Sequence, residues 1–251
     1  EHELQVKLFD RNNRKVTLTN SGLVFVREVR QILDTIEKSV MEVQRAESGE
    51  VGQLRLGVVS SALYTLLPRA MGRFRNCFPH VEVVVQELPS AEQIRALLAD
   101  QLDVGILYHQ TQSPHAISLR PVLTSPMVLA LPALHPLAHQ KKMNLDDIIR
   151  YRLIVPSCTH EPLLHEMVIT ICRNHGVSPT MLQEANNLYA MLGMVASSFG
   201  IAVVPGFTKK LRQHGILFRD IGQKTQSISL MLATHIRQRP SLIVNRFLSC
   251  F

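Results

Sequence analysis

The sequence contains no apolar run approaching the roughly 18–20 residues of a membrane span; the longest are short, as in Val128-Leu129-Ala130-Leu131. No basic-then-apolar leader is present, and the first residues, Glu1-His2-Glu3, are charged. Export and membrane association are therefore not expected, and a cytoplasmic location is. An initiating Met is also missing, as in a fragment. Cysteine is scarce: Cys77, Cys158, Cys172 and Cys250 form no CxxC pair or dense framework, which points to reduced thiols. Twelve Gly and thirteen Pro are too few for collagen-like or low-complexity classes. What remains is a chain of 251 residues, 46% hydrophobic and 19% charged, long enough for two packed domains and too apolar for global disorder.

The net charge is +7, a balance that favours anionic partners. Its distribution is uneven. Residues 1–50 carry eight Lys/Arg against nine Asp/Glu, whereas residues 51–251 carry nineteen against eleven. The larger body is basic and the amino-terminal arm is not.

Within that arm, Leu8-Phe9 and Val16-Thr17-Leu18-Thr19 read as two short strands around Asp10-Arg11-Asn12-Asn13-Arg14-Lys15. The Asn pair tolerates the left-handed backbone of a tight turn, which predicts a hairpin with three cations at its tip. A helix is expected over 19–48, because Val26, Val29, Leu33, Ile36, Val40 and Val43 step by three and four in a heptad seam. A lone helix cannot bury such a stripe. Burial of each residue contributes ~1.5–3 kcal/mol, against an association cost of order 4–15 kcal/mol, so a partner helix in a homodimer or homotetramer is the preferred expectation, with packing against the chain's own body as the alternative. Ser48-Gly49-Glu50-Val51-Gly52-Gln53 then reads as a hinge.

Beyond it, strands and helices alternate. Strands are expected over 54–59, 81–88 and 103–107, with helices over 62–78 and 91–101 between them. A second set follows: strands over 152–156, 180–185 and 200–205, with helices over 161–175 and 188–198. The β-α-β-α-β order predicts an α/β fold, with two doubly wound, Rossmann-like lobes and right-handed crossovers. Crossing strands over 126–132 and 228–236 link them, and 241–251 is a closing helix. The domains expected are 1–18, 19–48, a first lobe of 51–125 with 229–251, and a second lobe of 126–228.

Several of these segments carry a family resemblance. Leu8-Phe9-Asp10-Arg11, Val16-Thr17-Leu18-Thr19 and Gly22 resemble the stretch that closes the DNA-binding domain of LysR-type transcriptional regulators. Leu54-Arg55-Leu56-Gly57, Leu67-Pro68, Phe74-Arg75, Phe78-Pro79 and Leu102-Asp103-Val104-Gly105-Ile106 are similar to that family's first effector lobe. His135-Pro136-Leu137-Ala138 and Gly200-Ile201-Ala202-Val203-Val204-Pro205 are similar to its second. Gln86-Glu87-Leu88 and Gly105-Ile106-Leu107-Tyr108 lean toward the subgroup that senses aromatic-catabolism intermediates. The resemblance implies a periplasmic-binding-protein-like body preceded by a wing hairpin and a linker helix. It also implies a small effector between the lobes, and DNA as partner of the full-length parent. The chain starts near the end of what would be the recognition helix, so specific operator binding by this fragment is not expected. Arg11, Arg14 and Lys15 in the wing are the residues expected to make phosphate or minor-groove contacts.

In doubly wound lobes, ligands lie beyond the carboxyl ends of the strands, where helix starts offer free N–H groups. Ser60, Ser61, Ser90 and His109 follow the strands of the first lobe, and Ser157, Thr159 and Asn187 those of the second. These seven are the candidate effector contacts; the helix dipoles favour a carboxylate-bearing effector, and the resemblance implies an anionic or aromatic one. Each Ser or Asn alone is equally a helix cap. Other chemistry finds little support. His160 and His165 are five apart and His135 and His139 are separated by Pro136, so neither pair makes a helical metal site. No nucleophile elbow occurs. No enzyme, metal or cofactor is expected, and the runner-up is a solute-binding protein of a transport system.

Overall fold

The computed structural model describes residues 1–12, 15–109, 114–140, 148, 150–174, 176, 182–221, 226–236 and 241–251. The chain divides into two units, Glu1–Gly52 and Gln53–Phe251. Among the described residues no helix is long and apolar enough to cross a membrane.

The first unit pairs β1 (Phe9–Asn12) with β2 (Lys15–Leu18) in an antiparallel hairpin, with Phe9 opposite Leu18 and Asn12 opposite Lys15. The turn residues Asn13 and Arg14 lie outside the described residues. Thr19 links hairpin to helix: its hydroxyl donates to the Lys7 carbonyl at 2.6 Å and accepts from the Gly22 N–H at 3.0 Å. Gly22 is required there, since a Cβ would lie 2.1 Å from the Leu8 carbonyl oxygen. The helix α1 runs over Asn20–Glu47, and its stripe is open to solvent, with Leu33 and Ile36 each 54% exposed and Val43 69%.

In the second unit, β3 (Val51–Val58), β4 (His80–Glu87) and β5 (Val104–Tyr108) lie in the order β4-β3-β5. The later strands β7 (Leu153–Pro156), β8 (Leu182–Ala185) and β9 (Ile201–Pro205) repeat it as β8-β7-β9. Within these sets β3 pairs parallel with β5, and β7 pairs parallel with β8 and with β9. Between the sets run β6 (Ile117–Pro132) and β11 (Ser227–His235), antiparallel to each other, so one sheet holds both lobes. Parallel strands covered on both faces must be apolar throughout, and β5, β7 and β9 are buried at every position.

Three features differ from the sequence expectation. The crossing strand β6 starts at Ile117 rather than at 126, because its first half pairs with β11 before its second half pairs with β9. The expected helix 62–78 is two helices, α2 (Ser60–Thr65) and α3 (Leu67–Cys77). Pro68 in the first turn of α3 has no N–H to continue the preceding helix. A strand not anticipated, β10 (Ile216–Asp220), adds to β6. The remaining helices are α4 (Ser90–Leu98), α5 (Pro162–Asn174), α6 (Leu188–Ala196) and α7 (Leu242–Leu248). The last packs on α3 through Phe74 and Phe247, whose ring centroids are 5.3 Å apart.

The partly buried ion pair of Arg55 with Asp103 (2.8 Å) joins β3 to the approach to β5, and Asp103 also accepts the Arg55 N–H. At Gly200, a Cβ would lie 2.5 Å from the Arg152 carbonyl oxygen, whereas nothing lies within 4 Å of a Cβ at Gly72 in α3. Gly200→Ala should therefore destabilise the protein by about 1–3 kcal/mol through overpacking. Gly72→Ala should stabilise it by up to about 1 kcal/mol through helix propensity. Urea unfolding of the two variants checks both signs.

Candidate functional site

The β-α connections send the strands into helices whose starts line one cavity. A cavity of about 390 Å³ opens there, lined by Ser60 at the start of α2, Pro89 before α4, Glu161 and Leu164 at the start of α5, and Asn187, Leu188 and Met191 at the start of α6. Glu87, Tyr108, His160 and Asn186 complete its polar wall. No Lys or Arg lies among these described lining residues.

The seven candidates separate into groups. Ser60 and Asn187 line the cavity. Asn187 is also the cap of α6, its Oδ1 accepting from the Ala190 N–H at 2.9 Å. Ser61 and Ser90 are buried behind the wall. The Tyr108 hydroxyl donates to Ser61 Oγ at 2.8 Å, and Ser90 Oγ accepts from the Tyr108 N–H at 3.4 Å. Ser157 is buried, its hydroxyl 2.8 Å from that of Thr159, which is exposed. Neither residue lines the cavity, and nor does His109, which is exposed and whose N–H donates to the Ser229 carbonyl. In the wing, Arg11 and Lys15 are placed only through the backbone ladder, facing Val16 and Asn12, and Arg14 lies outside the described residues.

Glu161 is the residue that sequence reasoning passed over. Ser90 Oγ, from the first lobe, donates to its Oε2 at 3.2 Å across the cleft, and the Ser90 N–H bonds the same carboxyl. Glu161 thus occupies the start of α4, where Pro89 supplies no side-chain cap. Burial nevertheless pushes its carboxyl up to about 7, against the opposing pull of these bonds. Burial likewise raises Tyr108 above the usual phenol range, so it remains a donor. The only sequence signal for Glu161 was its place one residue before a proline-started helix.

The pH dependence follows. A carboxyl whose folded pKa is raised holds a proton that the unfolded chain releases, so its contribution to stability is lost as pH rises from the ordinary carboxylate range through about 7. Melting temperature should fall less in Glu161→Gln than in the unsubstituted protein between about pH 5 and about pH 8. Parallel curves for the two proteins would show that Glu161 is ionised normally.

Known proteins share this arrangement. The family model described as the LysR substrate binding domain matches residues 47–251. The HTH-type transcriptional regulator AlsR of Bacillus subtilis (strain 168) is 33% identical over 223 residues, covering 89% of this chain and 74% of that protein. The crystal structure of CbnR, a LysR family transcriptional regulator, superposes with a TM-score of 0.84 at 23% identity, over 99% of this chain and 86% of the other. The BenM effector binding domain with its effector benzoate superposes with a TM-score of 0.69 at 24% identity, over 79% of this chain and 90% of the other. With the sheet order, the cleft and a family match over four-fifths of its length in agreement, this chain belongs to the LysR-type transcriptional regulators.

Proposed function

We propose that this chain senses a small organic acid, anionic or aromatic, in the cavity between its lobes, and that helix α1 transmits the bound state to DNA. The observation that carries this reading is the convergence of the starts of α4, α5 and α6, with the shorter α2, on one cavity. Their N–H groups and dipoles favour a carboxylate, and Leu88, Leu164, Leu188 and Met191 offer an apolar bed for a ring or chain. The benzoate held by the BenM domain has that chemistry. A half-protonated Glu161 can donate to a ligand carboxylate where an ionised one would repel it. The lobes are assigned to 51–125 with 229–251 and to 126–228, meeting where Thr124 and Ser229 face each other, their hydroxyls 2.7 Å apart. The family match sets aside the transport-receptor reading, and relatives that are regulators favour a sensing role over catalysis.

Calorimetric titration with benzoate and related aromatic acids tests the cleft. Ser60→Ala should weaken binding by about 1 kcal/mol through a lost hydrogen bond, whereas Thr159→Ala, on an exposed side chain outside the lining, should leave it unchanged. Equal effects of the two substitutions would move the ligand away from this cavity.

Self-association is the second part of the reading. Leu33, Ile36, Val40 and Val43 leave an exposed apolar stripe on α1 that continues into the half-buried Val26 and Val29, and a second copy of α1 offers the matching stripe. Leu33→Glu with Ile36→Glu should shift sedimentation from a dimer or tetramer toward smaller species. An unchanged oligomer would assign assembly to the lobes instead.

A further inference from the structure

The cavity wall carries four ionisable side chains among the described residues: Glu87 at the end of β4, Tyr108 at the end of β5, and His160 and Glu161 just before α5. No Lys or Arg stands among them, so an acid that enters as its anion joins two carboxyls in a site without a fixed cation. Helix-start N–H groups answer part of the added charge, but an ionised carboxylate in the same cavity opposes it. Where two carboxyl groups share one such site, one of them keeps a proton.

Of the four side chains, Glu161 is the one placed to hold it. Glu87 and His160 are exposed, and His160 Nδ1 is engaged with hydroxyls, 3.0 Å from Thr159 Oγ1 and 3.3 Å from Ser157 Oγ. The Tyr108 proton is committed to Ser61 Oγ. His165, one turn along α5, lies outside the lining and bonds the Pro156 carbonyl through Nδ1 at 2.7 Å. Glu161 is half-buried and fixed at both ends: its N–H donates to the Ser157 carbonyl at 3.0 Å, and its Oε2 accepts from Ser90 Oγ at 3.2 Å. With Oε2 engaged, Oε1 is the oxygen left to carry a proton. Ionised, this carboxyl only accepts; protonated, it donates a charge-assisted O–H···O⁻ bond to an anion.

We propose that Glu161 is a ligand-binding residue through which an organic acid and a proton bind together: as the anion enters, Glu161 takes a proton from the solvent and donates it in a hydrogen bond to the ligand's carboxylate. This rests on the cavity being the effector site. The buffer acid loses the proton, Glu161 gains it, and the ligand stays an anion. Burial already brings the Glu161 carboxyl up to about 7 in the free protein, and the bound anion raises it further. Below about 7 the proton is in place beforehand, and affinity is level down to the ordinary carboxylate range, where the ligand itself protonates. Above about 7 the proton has to be taken up, and affinity falls by up to about tenfold per pH unit.

The test is calorimetric titration of the full chain with benzoate at about pH 8, in phosphate and in Tris, whose differing ionisation enthalpies reveal protons exchanged on binding. The unsubstituted protein should take up close to about one proton per benzoate, and Glu161→Gln should take up none. Between about pH 7 and about pH 8 benzoate affinity should fall roughly fivefold in the unsubstituted protein and stay level in Glu161→Gln, whose amide donates at any pH. Binding to the unsubstituted protein without proton uptake overturns the proposal and leaves the cleft reading standing. Uptake that survives in Glu161→Gln and disappears in His160→Gln also overturns it, by placing the proton on the imidazole. So does a folded Glu161→Gln protein that no longer binds, since donation is then not what Glu161 supplies. Failure of benzoate to bind either protein overturns the proposal and the cleft reading together.

Discussion

The antiparallel pairing of β6 with β11 is the constraint on which the rest of the body depends. A parallel set of three strands ends in two open edges, and each lobe closes one of its edges with a crossing strand: β11 lies against β5 and β6 against β9. Because the crossings also pair with each other, from Ser227 opposite Pro126 to His235 opposite Ile117, the lobes share a continuous ladder. Pro126 stands where β6 changes partners, and Met127 takes the first bond beyond it by donating to the Gln226 carbonyl. The lobes are thereby held side by side with their helix-start edges facing, and the cavity follows from that placement.

The electrostatics of the cavity follow from the same geometry. Helix starts supply positive potential without any lining cation among the described residues, and the groups that face them are carboxyls and phenols. Glu161 reaches from one lobe to the start of α4 in the other, so a bond that completes a helix is also a bond between lobes. An acid in the site would meet helix-start N–H groups and a carboxyl whose raised pKa lets it donate, while the Tyr108 proton is committed to Ser61.

The alternation of apolar strands and amphipathic helices was legible because each period follows from which faces are buried. The hairpin and α1 were equally legible from local pattern. The break between α2 and α3 was less so, since Leu66 has helical backbone angles and the sequence on either side stays amphipathic. β10 was missed because Ile216–Asp220 has one buried residue and a charged end, the look of a loop, and it becomes a strand only through the edge that β6 offers. At the site, sequence found the strand ends but not the direction of the side chains. Ser61 and Ser90 follow strands as Ser60 does, yet their hydroxyls serve Tyr108 and Glu161 instead of facing the cavity. A one-residue step around a helix start decides between wall and core, and composition carries no trace of it. Glu161 acquires its role only from the opposite lobe.

The discontinuity of the first lobe has a consequence for how the chain is made. The strands and helices of the second lobe, from Met127 to Asp220, leave the ribosome as one uninterrupted stretch and have all their parallel partners at hand. The first lobe is synthesised earlier but lacks β11 and α7 until Ser227–His235 and Leu242–Leu248 emerge, so the open side of β5 and the apolar face of α3 wait for them. Vectorial synthesis ordinarily rewards the amino-terminal part with the first native structure. Here the order is reversed, and the lobe that begins the body is completed after the second one.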